Sequence, residues 1–134
     1  MKELTIEAKI ENLTTVLDFV SAELSKTGCA KKLQIQIAIA VEEIFVNIAH
    51  YAYSPDTGYA VLRIAVGEDL VIEFEDGGKP YNPLGRDDPD ITLSSEEREI
   101  GGLGVFMVKK IMDAVEYRYE YGKNVLVIRK SIVE

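Results

Sequence analysis

The segment QIAIAVEEIFVNIAH, residues 36–50, is apolar nearly all round but carries a thin stripe of polar side chains. Gln36, Glu43, Asn47 and His50 follow one another at intervals of seven, four and three residues, so an α-helix places them along one side. Burying a carboxylate or an amide without a hydrogen-bond partner costs on the order of several kcal/mol. The stripe therefore faces other polar groups, a polar ligand or, as the plainer alternative, water.

Two long helices are predicted in the first half of the chain. The central one extends from Lys31 to Ala52, and because it is apolar nearly all round, most of it should lie inside the molecule. Polar residues interrupt its most apolar run, Ile35 to Ala49, which therefore falls short of a membrane span. An amphipathic helix precedes it over residues 13–24, with Asn12 as its N-cap and Gly28 as its stop.

Five runs of alternating or β-branched residues are predicted to form strands, over residues 3–8, 58–66, 69–76, 115–121 and 124–130. Hairpin turns are expected at Gly67-Glu68 and Gly122-Lys123. Residues 80–99 are polar and aperiodic, so we expect a long mobile loop, which in a compact domain is more often a functional lid than an accident. The order of elements predicts an α+β fold, with helices covering one face of a mostly antiparallel mixed sheet.

Asp76-Gly77-Gly78 closes an apolar strand in this scheme. Paired glycines let the backbone approach another molecule without a side chain in the way. Tyr81 follows and could wall a pocket for a planar ring. The alternative interpretation of the motif is an ordinary turn at the end of a strand.

Gly101-Gly102-Leu103-Gly104 precedes the last predicted helix, over residues 105–112. Free backbone N–H groups and the positive end of the helix dipole converge at such a position, which favours phosphate binding. The motif is neither a P-loop nor a complete Gly-x-Gly-x-x-Gly fingerprint. In the alternative interpretation, the glycines serve only as a hinge for the long loop.

Composition excludes several classes of protein. With 134 residues and 47% hydrophobic content, the chain fits one domain with one core. A formal net charge of -8 disfavours a nucleic-acid-binding surface, which needs clustered Lys and Arg. Cys29 and His50 are each alone, so they form neither an intrachain disulfide nor a zinc site. The first residues lack the features of a signal peptide, and we expect a soluble, cytoplasmic protein that binds no membrane.

Three motifs taken together resemble the N, G1 and G2 boxes of the Bergerat-fold (GHKL) ATPases, the superfamily of gyrase, Hsp90, histidine kinases and MutL. They are Glu43-x-x-x-Asn47, Asp76-x-Gly78-x-Pro80-Tyr81-Asn82-Pro83-Leu84 and Gly101-Gly102-Leu103-Gly104. The small size and the run from Gly102 to Asp113 are most similar to the bacterial anti-sigma-factor serine/threonine kinases of the RsbW and SpoIIAB type. The resemblance implies the Bergerat ATP-binding fold, a two-layer sandwich, as one histidine-kinase-like ATPase domain over residues 1–134.

The resemblance implies ATP and Mg²⁺ as cofactors and a role for each motif. Glu43 is the general base, and Asn47 coordinates Mg²⁺ that bridges the triphosphate. Asp76 accepts a hydrogen bond from the adenine amino group, while Gly78 lets the ring lie close to the backbone. The residues Gly101, Gly102, Leu103 and Gly104 hold the phosphates, and residues 82–100 close as a lid.

The resemblance also implies partners. Kinases of this type phosphorylate a serine or threonine of an anti-anti-sigma factor of the STAS fold, and the unphosphorylated state of that partner determines whether the kinase holds a sigma factor. A homodimer is implied as well, through the face that carries the first strand. Two other functions stay open: a nucleotide-gated binding module that transfers no phosphate, and a detached ATP hydrolase domain, which we rank last.

Overall fold

The computed structural model describes residues 1–85 and 102–132, and its centre is a five-stranded sheet. The strands are β1 (Lys2–Glu7), β2 (Tyr59–Val66), β3 (Asp69–Asp76), β4 (Ala114–Glu120) and β5 (Lys123–Ser131). They lie in the order β1-β2-β3-β5-β4, and all four pairings between these described strands are antiparallel. Each predicted strand is confirmed to within one residue at either end.

Three helices cover one face of the sheet: α1 (Leu13–Ser25), α2 (Lys31–Asn47) and α3 (Gly102–Ile111). Helix α2 continues directly as a π-helix over Ile48–Ala52. It lies in the middle of the helix layer because it packs against both α1 and α3. Short 3₁₀ turns occur at Ile10–Asn12 and Pro83–Gly85. The two-layer α+β architecture expected from the sequence is confirmed.

The core lies between the helix layer and the inward face of the sheet. Leu62, Ile72 and Phe74 alternate with outward residues along β2 and β3, and they are buried in one cluster with Val41 and Phe45 of α2. This alternation follows from the two-residue period of a strand. At the end of the sheet, the register of β3 and β5 places Asp76 opposite Asn124, so two polar residues meet where the strands leave the core.

Helix α2 is less buried than the sequence predicts. Ile35 and Ile39 are 52% and 39% exposed, since they lie with Glu42 on the side of the helix that faces away from the core. The expectation that the run Ile35 to Ala49 falls short of a membrane span concerns a shorter segment and stays a prediction. By length and composition alone, the 22 residues Lys31–Ala52 pass the test for a span, but core helices of soluble proteins pass the same test. The fully buried side chains of Val41 and Phe45 are those of a core helix.

Two local predictions are wrong. Asn12 precedes α1 but does not cap it, because its Nδ2 donates a hydrogen bond to the carbonyl oxygen of Glu7 at 2.9 Å. The second hairpin turns one residue earlier than predicted, at Tyr121 and Gly122. Their φ values are 53° and 73°, and a type I′ turn requires positive φ at both central positions.

Much of the predicted lid lies outside the described residues. Residues 86–101 are not described, and they include Gly101 of the third motif. Of Gly102 and Leu103, only the backbone is described, in the first turn of α3. The lid and the contribution of Gly101 stay predictions.

Candidate functional site

A cavity of about 510 Å³ lies between the helix layer and one end of the sheet. Its walls come from α2, α3, the ends of β3, β4 and β5, and the segment that follows β3. Most of the lining side chains are apolar, among them Ile44, Phe74 and Leu126. A cavity of this size, with apolar walls and a few convergent polar groups, is typical of a small-molecule site.

Only half of the polar stripe on α2 faces this cavity. Glu43 and Asn47 line it, one helical turn apart, whereas Gln36 and His50 do not. Within residues 1–85 and 102–132, the side chains of Glu43 and Asn47 have no hydrogen-bond or ion-pair partner. Their polar atoms are therefore available to a ligand. His50 is exposed and lies edge-on to the ring of Tyr51, as expected for a residue without a role in the site.

Asp76 lies at the end of β3 and is 7% exposed. Its Oδ1 accepts hydrogen bonds from the backbone N–H of Gly78 and from Nδ2 of Asn124, both at 2.9 Å. Its Oδ2 has no donor among the described residues. Burial raises the pKa of Asp76 above its ordinary value, although the bonds from Asn124 and Gly78 act in the opposite direction. The site thus contains a carboxylate with one oxygen fixed and one oxygen open.

Asn124, at the start of β5, is a site residue that reasoning from the sequence missed. Its Nδ2 donates to Asp76 and also to the carbonyl oxygen of Lys79 at 2.8 Å. Its Oδ1 accepts from the backbone N–H of Tyr81 at 3.1 Å and from the hydroxyl of Tyr117 at 2.5 Å. Asn124 therefore holds both Asp76 and the segment after β3. In the sequence it marks only a strand boundary, and the signal that identifies it is its register opposite Asp76.

The segment after β3 is also held by the end of the π-helix. The backbone N–H of Lys79 donates to the carbonyl oxygen of Ala52 at 2.9 Å. A Cβ at Gly78 would lie 2.2 Å from that same oxygen, so this position admits glycine alone. The structure thus gives a reason for Gly78 that the sequence does not reveal, which is close packing against Ala52. The approach of a planar ring to this backbone stays a prediction.

The hydroxyl of Tyr53 fixes the preceding residue of the same turn. It accepts a hydrogen bond from the backbone N–H of Gly77 at 2.7 Å and donates to the carbonyl oxygen of Tyr59 at 2.5 Å. Burial raises the pKa of Tyr53, so the hydroxyl keeps its proton at neutral pH. The Asp-Gly-Gly turn is therefore attached both to β2 and to the end of the π-helix.

Three tyrosines, Tyr51, Tyr81 and Tyr117, line the cavity. Tyr81, predicted from the sequence, lines the cavity and is 41% exposed, and Tyr117 of β4 lines it as well. Tyr117 was not predicted from the sequence, since only the pairing of β4 with β5 brings its hydroxyl to Asn124. An aromatic face next to an acceptor suits a planar heterocycle.

The third motif begins helix α3 beside the base candidate. The predicted start of this helix at Val105 is wrong, because the helix begins at Gly102 and so includes the last three residues of the motif. A Cβ at Gly104 would lie 2.3 Å from Oε2 of Glu43, so the start of α3 and the carboxylate on α2 are in close contact. Val105 and Val108 of the same helix line the cavity. The first turn of α3 and the polar side of α2 therefore face one space.

The comparison with known proteins agrees with this geometry. A model of the histidine kinase-like ATPase domain matches residues 6–130. The chain belongs to this family. The resemblance drawn from the sequence is therefore confirmed at the level of the family.

Similar proteins include two bacterial kinases and one solved structure. Serine-protein kinase RsbW of Bacillus cereus (strain AH187) is 27% identical over 132 residues, which cover 95% of this chain and 82% of that protein. RsbW of Listeria monocytogenes serotype 4a (strain HCC23) is 26% identical, with coverages of 94% and 84%. A crystal structure of the RsbU and RsbW domains of a Mycobacterium tuberculosis protein has a TM-score of 0.68 at 15% identity. The match covers 98% of this chain and 33% of that one, and at such identity it shows the fold alone.

The residues of this ATPase domain fit ATP and Mg²⁺. The open Oδ2 of Asp76 is an acceptor for an exocyclic amino group, and apolar side chains enclose it. The side-chain oxygen of Asn47 is the type of ligand that Mg²⁺ prefers. Within the described part of the chain, no group of three or more His, Cys, Asp or Glu residues could hold a metal ion. One protein oxygen together with phosphates and water is the usual environment of Mg²⁺ beside a nucleotide.

Proposed function

We propose that the protein is an ATP-dependent serine/threonine protein kinase that acts as an anti-sigma factor. The observation that carries the proposal is that Glu43 and Asn47 of the first motif and Asp76 of the second line one cavity in a chain of the histidine kinase-like ATPase family. The similarity to RsbW proteins, which are named serine-protein kinases, supports the same activity. We further propose that residues 1–134 act as one ATPase domain.

The adenine ring occupies the apolar part of the cavity in this proposal. Asp76 accepts a hydrogen bond from the adenine amino group through Oδ2, since Oδ1 is already engaged by two donors. Tyr81 and Tyr117 contact the ring. A nucleobase that has a carbonyl group in place of the amino group, such as guanine, would be rejected, because its oxygen and Oδ2 of Asp76 are both acceptors and no proton would lie between them.

The phosphates lie toward α3 and the polar side of α2. The backbone N–H groups of the Gly101 to Gly104 segment, together with the dipole of α3, hold the negative charge. Asn47 holds Mg²⁺ through its side-chain oxygen. When bound, Mg²⁺ neutralises charge on the transferred phosphoryl group, which matters in a chain with a formal net charge of -8.

Glu43 acts as the general base. Its carboxylate lies in the cavity within one helical turn of Asn47, and no described side chain neutralises it. It accepts the proton of a serine or threonine hydroxyl of the partner as the hydroxyl oxygen attacks the γ-phosphorus in line. The phosphorylated partner and ADP are then released.

The partner is a STAS-fold anti-anti-sigma factor, and the second partner is a sigma factor. The kinase holds the sigma factor when the anti-anti-sigma factor is phosphorylated and releases it when that partner is unphosphorylated. We propose that the protein forms a homodimer through the face that carries β1 and that it works in the cytoplasm. These assignments rest on the similarity to RsbW proteins.

Glu43→Gln tests the proposed role of the base. The variant should bind ATP with a dissociation constant close to that of the wild-type protein, while transfer of labelled γ-phosphate to a STAS partner falls at least about a hundredfold. Glu42→Gln is the matched control, since Glu42 is the neighbouring residue, is exposed and does not line the cavity. Undiminished transfer by Glu43→Gln would remove Glu43 as the base. Partner binding that depends on ATP, with no phosphate transferred by the wild-type protein, would instead indicate a nucleotide-gated binding module.

A further inference from the structure

Gly104 lies within helix α3, where glycine is a poor choice for helix stability. Glycine destabilises a helix relative to alanine because it loses more backbone freedom on folding. A glycine in a helix therefore calls for a reason in its surroundings. A Cβ at Gly104 would lie 2.3 Å from Oε2, 3.2 Å from Cδ and 3.7 Å from Cγ of Glu43. The three nearest atoms thus all belong to one side chain, the proposed general base.

This environment differs from that of Gly78 and of Gly67. At Gly78 a Cβ would collide with the backbone of Ala52, which cannot move without shifting the π-helix. At Gly67 a Cβ would meet no atom within 4 Å, so a side chain fits there. At Gly104 the obstacle is the far end of a flexible side chain. Alanine can thus be accommodated at Gly104, but only if the Glu43 carboxylate moves.

We propose that Gly104 is a positioning residue, whose missing side chain leaves the space in which the Glu43 carboxylate lies. In the motif Gly101-Gly102-Leu103-Gly104, the glycines are expected to offer backbone N–H groups to phosphates, and alanine at Gly104 keeps its N–H group. Phosphate binding therefore requires the N–H group of Gly104 but does not explain why this residue lacks a Cβ. The absence of the Cβ lets α3 set the location of a carboxylate that projects from α2.

The size of the displacement is sufficient to affect proton transfer. Carbon and oxygen atoms in contact are about 3.3 to 3.6 Å apart, so a methyl group at Gly104 forces Oε2 to retreat by roughly 1 Å. A general base must lie within about 2.6 to 3.2 Å of the atom whose proton it accepts. A misplacement of about 1 Å can lower a rate by about a hundredfold. The consequence for catalysis rests on the proposed role of Glu43, whereas the contact between the two residues does not.

A double-mutant cycle of phosphotransfer tests the catalytic consequence. Gly104→Ala should lower the rate constant for phosphotransfer about tenfold to a hundredfold, with a much smaller change in the dissociation constant of ATP. In the Glu43→Gln background, the same substitution should cause no further loss of rate, because the base is already absent. Equal losses of rate in both backgrounds, or a loss of ATP affinity as large as the loss of rate, would overturn the proposal in favour of a purely phosphate-binding role.

A second cycle tests the contact without any catalytic assay. In the Glu43→Ala background the obstacle is gone, so Gly104→Ala should raise the Tm of the nucleotide-free protein by a few degrees, as glycine-to-alanine changes in helices do. In the wild-type background the rise should be smaller or absent. An identical shift in both backgrounds would contradict the contact. Gly67→Ala serves as the control, since its effect on Tm should be the same with and without the Glu43 side chain.

The two cycles separate this inference from the proposed function. If the wild-type protein transfers no phosphate, the proposed function fails, but the thermal cycle still measures the coupling between Gly104 and Glu43. If phosphate is transferred and both cycles are additive, the inference fails and the proposed function stands.

Discussion

At the scale of single residues, the two oxygens of the Asp76 carboxylate have different surroundings. Oδ1 accepts hydrogen bonds from Gly78 and Asn124, while Oδ2 of this cavity-lining residue has no donor from the described residues. The backbone N–H of Gly78 and Nδ2 of Asn124 would fix the orientation of an aspartate or an asparagine side chain at this position in the same way. An amide at this position would have to keep its oxygen toward Gly78 and Asn124 and turn its NH₂ group into the cavity.

Asp76→Asn should therefore change which base the protein prefers. Its NH₂ group would face the adenine amino group, so the affinity for ATP should fall by about tenfold or more, which corresponds to the loss of one hydrogen bond to a charged group. A guanine carbonyl oxygen would instead meet a donor, so the ratio of ATP affinity to GTP affinity should fall further still. Titration calorimetry with both nucleotides measures this ratio. An unchanged ratio would contradict the role of Asp76, and Glu75→Gln, on the opposite face of β3, is the control.

The burial of Asp76 also predicts how stability depends on pH. Its pKa is higher in the folded chain than in the unfolded chain, so its contribution to stability is complete below its unfolded pKa and is lost as pH rises through the folded pKa. The nucleotide-free wild-type protein should thus lose stability relative to Asp76→Asn as pH rises from about 4 toward neutral. Urea unfolding of both proteins at several pH values gives the difference. If the difference in unfolding free energy between the two proteins stays constant with pH, or if the wild-type protein gains stability relative to Asp76→Asn as pH rises, the burial of an ionisable group at this position is contradicted.

At the scale of elements, the π-helix at the end of α2 connects the polar stripe to the Asp-Gly-Gly turn. Its carbonyl oxygen at Ala52 accepts a hydrogen bond from Lys79, and the hydroxyl of Tyr53 contacts the backbone of Gly77. The helix that carries Glu43 and Asn47 is therefore fixed directly to the turn that carries Asp76. The distance between Asp76 and the pair Glu43 and Asn47 across the cavity depends on this junction.

Gly78→Ala should disrupt the junction. The added methyl group would lie 2.2 Å from the carbonyl oxygen of Ala52, so the turn must separate from the helix. Overpacking of this kind costs about 1 to 3 kcal/mol, and loss of the Lys79 hydrogen bond adds about 1 kcal/mol. The free energy of unfolding in urea should fall by about that amount. The matched variant Gly67→Ala, which meets no atom within 4 Å, should be much less destabilising, and equal effects of the two would refute the close contact.

At the scale of the whole molecule, most elements are predictable from the sequence because their periodicity is local. Alternation in residues 69–76 defines β3 to the residue, and the three- and four-residue spacing of apolar positions locates α1. Two of the three motifs also lie in the elements predicted for them. Glu43 and Asn47 lie on α2 and Asp76 ends β3, as predicted, whereas α3 begins at Gly102, three residues before its predicted start.

Features that depend on tertiary contacts could not be predicted in the same way. The exposure of Ile35 and Ile39 depends on which side of α2 faces the sheet, and an apolar helix does not reveal that side. The role of Asn124 depends on the register between β3 and β5, and the reason for Gly78 depends on the position of Ala52. The local pattern predicts Asn12 as a cap, but a carbonyl oxygen of the preceding strand competes for its side chain.

The cavity itself is a property of the whole fold. Its walls come from segments that are far apart in the sequence, between Glu43 on α2 and Leu126 on β5, and the unfolded chain cannot reproduce them. A ligand of this cavity binds the folded state alone and stabilises it in proportion to the logarithm of its concentration. Binding of the correct nucleotide should therefore be visible both as heat and as resistance to unfolding.

The most direct test of the nucleotide site is a calorimetric titration of the protein with ATP and with GTP, each in the presence and absence of Mg²⁺. We expect binding that prefers ATP, because Asp76 offers an acceptor to the adenine amino group. Mg²⁺ should strengthen this binding, because Asn47 and the phosphates share the ion. Binding of neither nucleotide, or equal binding of both, would contradict the assignment of Asp76, Asn47 and the cavity as a site for Mg²⁺ and ATP.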